Sequence, residues 1–150
     1  MVIDDNSSCK FTNSDKSFFV TSGLKITKRE TIFEKNYWKI NASHDGYQKK
    51  YNTIHERNIE FYPGEETFVG CDKILKKINK NYKFDIRFHV EPDVKLMKTQ
   101  DGKSILIELE DEGWKFTCDN YDINIDNQNI FISGISNNQT EDIKWQIKKI

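Results

Sequence analysis

From Tyr82 to Pro92 hydrophobic and polar residues alternate: Phe84, Ile86, Phe88 and Val90 fall on one side, Asp85, Arg87, His89 and Glu91 on the other, and a proline ends the run. A period of two is that of a strand with one buried face. Similar segments precede it. Phe18 to Val20 is a short strand; Leu24 to Phe33 and Tyr37 to Ser43 are longer, the second placing Trp38, Ile40 and Ala42 on one face. Ile54 to Tyr62 is closed by the turn pair Pro63-Gly64, and Thr67 to Ile74 returns with Gly70 in its middle, a sign of a bulge or a close backbone approach.

A meander follows. Val94 to Gln100 and Lys103 to Leu109 flank Asp101-Gly102, a hairpin signal whose two turn residues are expected at positive φ. Then Trp114, Phe116 and Cys118 alternate, as do Tyr121, Ile123 and Ile125, Ile130 and Ile132, and Ile143, Trp145 and Ile147. Residues 6–17 read as a polar connection anchored by Cys9 and Phe11, residues 48–52 as a polar crossing, and Leu75 to Ile78 as a loop. About ten short strands at this spacing predict an all-β, mostly antiparallel β-sandwich with little or no helix. Residues 1–150 make one sandwich domain or the distal part of one, with 1–17 a strand plus lead-in and 18–150 the sandwich.

Composition agrees. The 150 residues include one alanine, Ala42, which disfavours a helical protein. With 23 basic and 24 acidic residues interspersed, the net charge of -1 excludes a dominant basic face for nucleic acid or an anionic membrane. Cys9, Cys71 and Cys118 stand at unrelated spacings and read as free thiols. The first residues lack the basic head and apolar run of a signal peptide, and no apolar stretch is long enough to span a membrane.

Chemistry-bearing motifs are sparse. Each of the three histidines has an interesting neighbour: His44 precedes Asp45, His55 lies two before Arg57, and His89 lies two after Arg87. None of these pairs makes a catalytic set or a metal site by itself, and Asp45 is explained as the start of an Asp-Gly turn. Arg87 and His89 share a strand face and can reach an anionic sugar group; alternatively, Arg87 pairs with Asp72 or Glu60 on a neighbouring strand. Tyr37, Tyr47, Tyr51 and Tyr62 read as exposed rings able to stack on sugars, or as core and cross-strand partners. No cofactor motif is present.

Read in order, Ala42-Ser43-His44-Asp45-Gly46-Tyr47, Ile54-His55-Glu56-Arg57, Asp72-Lys73-Ile74, Arg87-Phe88-His89-Val90-Glu91-Pro92 and Gly113-Trp114-Lys115-Phe116 resemble the C-terminal β-sandwich region of heparinase II/III family proteins. The resemblance covers roughly residues 37 to 135, and Val2-Ile3-Asp4-Asp5 resembles an early strand of that region. It implies a supersandwich-like fold that follows an α/α toroid in a polysaccharide lyase. Such an enzyme cuts acidic polysaccharide, a glycosaminoglycan or alginate, by β-elimination, in a bacterial periplasm or after secretion.

In that family the reacting Tyr, His and Asn lie mostly on the toroid, with a further His on early sandwich strands, and a structural metal, where present, is held by those same strands. No residue of this chain matches those positions, so neither a catalytic nor a metal-binding residue is assigned, and the chain alone is expected to be inactive. The glycan-binding candidates are Arg87, His89, His44 and Tyr47. Expected partners are acidic polysaccharide through a parent enzyme, the toroid, and a second copy through an open sheet edge. The alternative is a free-standing carbohydrate-binding or adhesion module.

Overall fold

The computed structural model describes residues 1–14 and 17–150 and is built almost wholly from antiparallel strands. In chain order these are β1 (Val2–Ile3), β2 (Asn6–Ser7), β3 (Lys10–Ser14), β4 (Ser17–Ser22), β5 (Ile26–Glu34), β6 (Tyr37–His44), β7 (Thr53–Tyr62) and β8 (Thr67–Lys76). After them come β9 (Tyr82–His89), β10 (Lys95–Lys98), β11 (Ser104–Glu108), β12 (Gly113–Cys118), β13 (Asp122–Asp126), β14 (Asn129–Ser136) and β15 (Thr140–Lys149). A single helical turn, α1 (Gln48–Tyr51), joins β6 to β7.

Two sheets make the sandwich. The larger has eight strands in the order β10-β11-β12-β15-β8-β7-β6-β5, and the smaller has five, β13-β14-β9-β1-β2. The alternating strand β9 lies at the centre of the smaller sheet, with β14 on one side and β1 on the other. Its Phe84 and Ile86 join Ile123, Ile130 and Ile132 against Ile74, Ile105, Phe116, Ile143 and Trp145 of the larger sheet. Burying these side chains is the main force joining the sheets, at roughly 1.5–3 kcal/mol for each large one. Lys76 adds a polar clamp: only 4% exposed, its ammonium donates to the carbonyls of Lys80 (2.7 Å) and Ser136 (3.0 Å), so the end of β8 is tied to the end of β14.

The structure departs from the sequence reading in four places. The polar lead-in is not a plain connection, because β3 and β4 pair as a separate two-stranded hairpin; Asp15 and Lys16, inside that lead-in, lie outside the described residues. The crossing at residues 48–52 is helical. Asn52 ends it in the left-handed region (φ 50°), and the turn tucks Tyr51 into a second small core with Ile3, Tyr47 and Tyr82. Leu75 and Lys76, expected in a loop, continue β8. At Asp101-Gly102 Gly102 takes a positive φ of 70° while Asp101 does not; the Asp101 carboxylate instead accepts from Thr99 Oγ1 and the Lys103 amide.

One row across the larger sheet bears on function. Register partners in adjacent antiparallel strands project to the same side, and Phe116, Ile147, Phe68, Phe61, Trp38 and Phe33 are successive partners from β12 to β5. Phe116 is fully buried, whereas Trp38 is 44% and Phe33 66% exposed. The core face therefore runs out past the cover of the smaller sheet.

Gly70 is neither the bulge nor the backbone contact that its place in a strand suggested, but the seat of a side chain. A Cβ there would lie 2.0 Å from Trp145 Cζ2. Gly70→Ala is expected to displace the indole and cost about 1–3 kcal/mol in urea unfolding, as overpacking does. Gly64→Ala, where nothing lies within 4 Å of the added carbon, is expected to stay within about 0.5 kcal/mol.

Candidate functional site

Strand register gathers the motif residues into one cluster. β6 faces β7 with His44 opposite His55, and β7 faces β8 with Arg57 opposite Asp72. On the other flank of β8, β15 sets Ile143 opposite Asp72 and Trp145 opposite Gly70. Because the glycine has no side chain, the indole lies flat over it and its N–H reaches the carboxylate.

Asp72 is completely buried and engaged on both oxygens. His55 Nε2 lies 2.6 Å and Arg57 Nε 2.8 Å from Oδ1; Arg57 Nη2 lies 3.2 Å and Trp145 Nε1 2.8 Å from Oδ2. Burial alone would raise the carboxyl pKa, but the hydrogen bonds from His55 and Arg57 and the guanidinium charge hold it below the ordinary value. The guanidinium also sits 5.1 Å over the Phe88 ring, so β9 helps to hold it in place.

The chain of hydrogen bonds extends to His44, whose Nε2 is 3.1 Å from His55 Nδ1 and whose Nδ1 accepts from the Gly46 amide at 3.2 Å. These contacts orient every proton. An amide N–H occupies His44 Nδ1, so Nε2 is the donor to His55 Nδ1, and His55 Nε2 is the donor to Asp72. Burial, with His55 alongside, pulls the His44 pKa down to about 4. Gly46 fits closely, since a Cβ there would sit 2.7 Å from Ser8 Cβ.

Tyr47 is not the exposed ring that the sequence suggested. It is 1% exposed, its hydroxyl donates to the Met1 carbonyl, and burial pushes its phenol up to about 12. The helical turn that follows it draws it inward. Tyr51 is likewise buried, edge-on to Tyr82 at 5.1 Å between ring centres, while Tyr37 and Tyr62 pack on each other at 5.4 Å.

Arg87 and His89 are not brought to this cluster. Both are exposed, on the opposite face of β9 from its core side chains. His89 Nδ1 lies 2.5 Å from Asn129 Oδ1, and Asp85 on the same face accepts from Ser133 Oγ. Neither expected partner of Arg87 faces it: Asp72 is taken by Arg57, and Glu60 accepts from Asn58 Nδ2 and Tyr62 hydroxyl on the larger sheet.

Asp72, Arg57 and Trp145 thus form a centre that the histidine motifs did not announce, although the sequence carries its signal. Arg57 lies as far before the loop of residues 63–66 as Asp72 lies after it, so a regular hairpin pairs them. The arrangement can position His44 and transmit a change in its hydrogen bonding to the core. With both oxygens accepting charge-assisted or indole hydrogen bonds, Asp72 has no free lone pair directed at solvent.

Comparisons with known proteins agree with the fold. A family model described as "Heparinase II/III-like, C-terminal" matches residues 1–147. No curated protein sequence matches. Among solved structures, the heparan sulfate lyase HepC from Pedobacter heparinus is similar at a TM-score of 0.63 and 12% identity, over 85% of this chain and 22% of that one. A heparinase III with methylated lysines is similar at 0.59 and 14% identity over 85% and 22%, and another heparinase III at 0.55 and 12% over 85% and 21%. The chain spans about a fifth of the length of these solved proteins.

Asp72→Asn removes the charge that compensates Arg57 and is expected to cost about 3–5 kcal/mol in urea unfolding. The pH dependence has a definite sign. His44 binds its proton less readily folded than unfolded, so its contribution is complete above its ordinary pKa of 6.5 and is lost as pH falls toward about 4. Urea midpoints measured across that window are expected to decline, and His44→Gln is expected to flatten the decline.

Proposed function

We propose, since this chain belongs to the heparinase II/III-like C-terminal family, that it is the sandwich part of a lyase cutting uronate-containing polysaccharide by β-elimination, supporting the cleft without supplying the reacting groups. The observation that carries this reading is the family match over residues 1–147. β-Elimination removes the proton α to a uronate carboxylate and expels the glycosidic oxygen. It needs a base, a group to stabilise the enolate-like charge, and an acid. In the cluster described above, His44, His55 and Asp72 direct their polar atoms at one another and at Gly46, Arg57 and Trp145. That arrangement suits holding a cleft wall in place. Incubated with heparan sulfate or alginate, the chain is expected to produce no ultraviolet absorbance from unsaturated uronate; a steady rise would overturn the reading.

The partner proposed for the uncovered end of the aromatic row is the α/α toroid of such a lyase. Phe33, Trp38 and Ile40 are 66%, 44% and 45% exposed and continue a buried face, as a surface meant for a large apolar contact does. Alone in solution, the chain is expected to self-associate through this patch and its open edges β5 and β10 in sedimentation velocity, and Trp38→Lys is expected to reduce the association. A dilution-independent monomer contradicts the assignment.

A second reading, a free-standing carbohydrate-binding module, is favoured by one observation, the exposure of Arg87 and His89 on the same strand face. Saturable binding to acidic glycans, lost in Arg87→Ala, would support it over the first.

A further inference from the structure

On its outer face, away from the core and from the Asp72 cluster, the larger sheet carries a trough of about 430 Å³ running across β6, β7, β8 and β15. Its shape follows from side-chain length. Asn41, Asn58 and Cys71 are successive register partners and form a short-side-chain floor, closed at one end by Lys144, the next partner on β15. One neighbouring row, Glu56, Lys73 and Asp142, and on the other side Lys39 and Glu60, stand taller and make the walls.

Among the described residues, the floor holds two acceptors without a protein partner. Asn41 is 7% exposed, and its Oδ1 is buried with no hydrogen bond. Asn58 is oriented by its own amide, which donates to Glu60 Oε1 at 2.8 Å, and its Oδ1 is also buried and unmatched. Buried acceptors are rarely left unpaired, because the loss of water is not repaid. The walls, by contrast, are already compensated: Lys39 pairs with Glu30 at 3.2 Å, Glu56 with Lys28 at 3.3 Å and Lys73 with Asp142 at 3.9 Å. Three cations and three carboxylates line the trough, which gives it no net charge.

From this arrangement we infer that the trough is a binding site for an uncharged saccharide. The ligand must donate hydrogen bonds to the two carboxamide oxygens and accept them from lysine, and a sugar hydroxyl does both. A sulfate or carboxylate offers acceptors alone, and would set them against Asn41 Oδ1, Asn58 Oδ1 and the wall carboxylates. The two asparagines are direct cross-strand partners, with Cβ atoms about 5 Å apart, which suits two hydroxyls of one pyranose ring. The volume lies within the roughly 300–1,000 Å³ of small-ligand pockets. The oxygens lie beneath the wall side chains, so the sugar reaches them by displacing flexible lysine and glutamate arms. The trough lies on the opposite face of the sheet from the Asp72 cluster, and its test does not depend on the lyase reading.

The test is a titration of the isotope-labelled chain with cellobiose, maltose and lactose, and separately with a heparan sulfate fragment, followed by the side-chain amide resonances of Asn41 and Asn58. A saturable shift of both amides with at least one neutral disaccharide is expected, weakened about tenfold in Asn58→Leu or Asn41→Leu. Where leucine disturbs the sheet, judged from the backbone spectrum, Asn58→Ala takes its place. No shift with any of the three disaccharides overturns the proposal, as does unchanged affinity in the folded variants or a response to the heparan sulfate fragment alone.

Discussion

At the junction of three strands a carboxylate with no access to water accepts hydrogen bonds from a histidine, an arginine and an indole. Taking a charge out of water is expensive, and Asp72 tolerates it because the donors come from both neighbouring strands, β7 and β15, and arrive at both oxygens. That requirement reaches well beyond the residue. It sets the register of β7 and β15 against β8, since a slip of one residue would turn Arg57 and Trp145 to the other face. It excludes any side chain at Gly70, and it orients His55, which in turn orients His44. A turn that looks like a local Asp-Gly signal is thereby linked to the centre of the larger sheet through Gly46.

The same face of the larger sheet is polar at one end and aromatic at the other. Between them lies the core under the smaller sheet, where Phe88 contacts both Phe116 and Trp145. Beyond it the aromatic row continues into solvent at Phe33 and Trp38. The covered part accounts for how the two sheets hold together, and the uncovered part for why the chain is read as one piece of a larger apolar contact.

Much of the fold was legible because period-two alternation is local. The Phe84-Ile86-Phe88 face and the Pro63-Gly64 turn both follow from a few neighbouring residues, and each stands in the structure. The site was less legible because its partners lie far apart in the chain. Trp145 is 73 residues from Asp72, and nothing in either neighbourhood names the other. His44 and His55 are 11 apart and flank a helical turn that polar residues 48–52 conceal, since Tyr51 alone carries its buried side. Arg87, for which the sequence offered Asp72 or Glu60 as an alternative partner, sits instead on the far face of β9, while Arg57 occupies the position that hairpin geometry assigns.

Asp72 is the end point of a directed chain of hydrogen bonds, and that direction is observable. Nitrogen-15 spectra of the imidazole rings at neutral pH distinguish which nitrogen bears the proton. The proton is expected on Nε2 in both His44 and His55, with the His44 pattern lost in Gly46→Pro, which has no amide N–H to donate. A proton on Nδ1 of either ring would reverse the chain and contradict the arrangement on which the reading of this cluster rests.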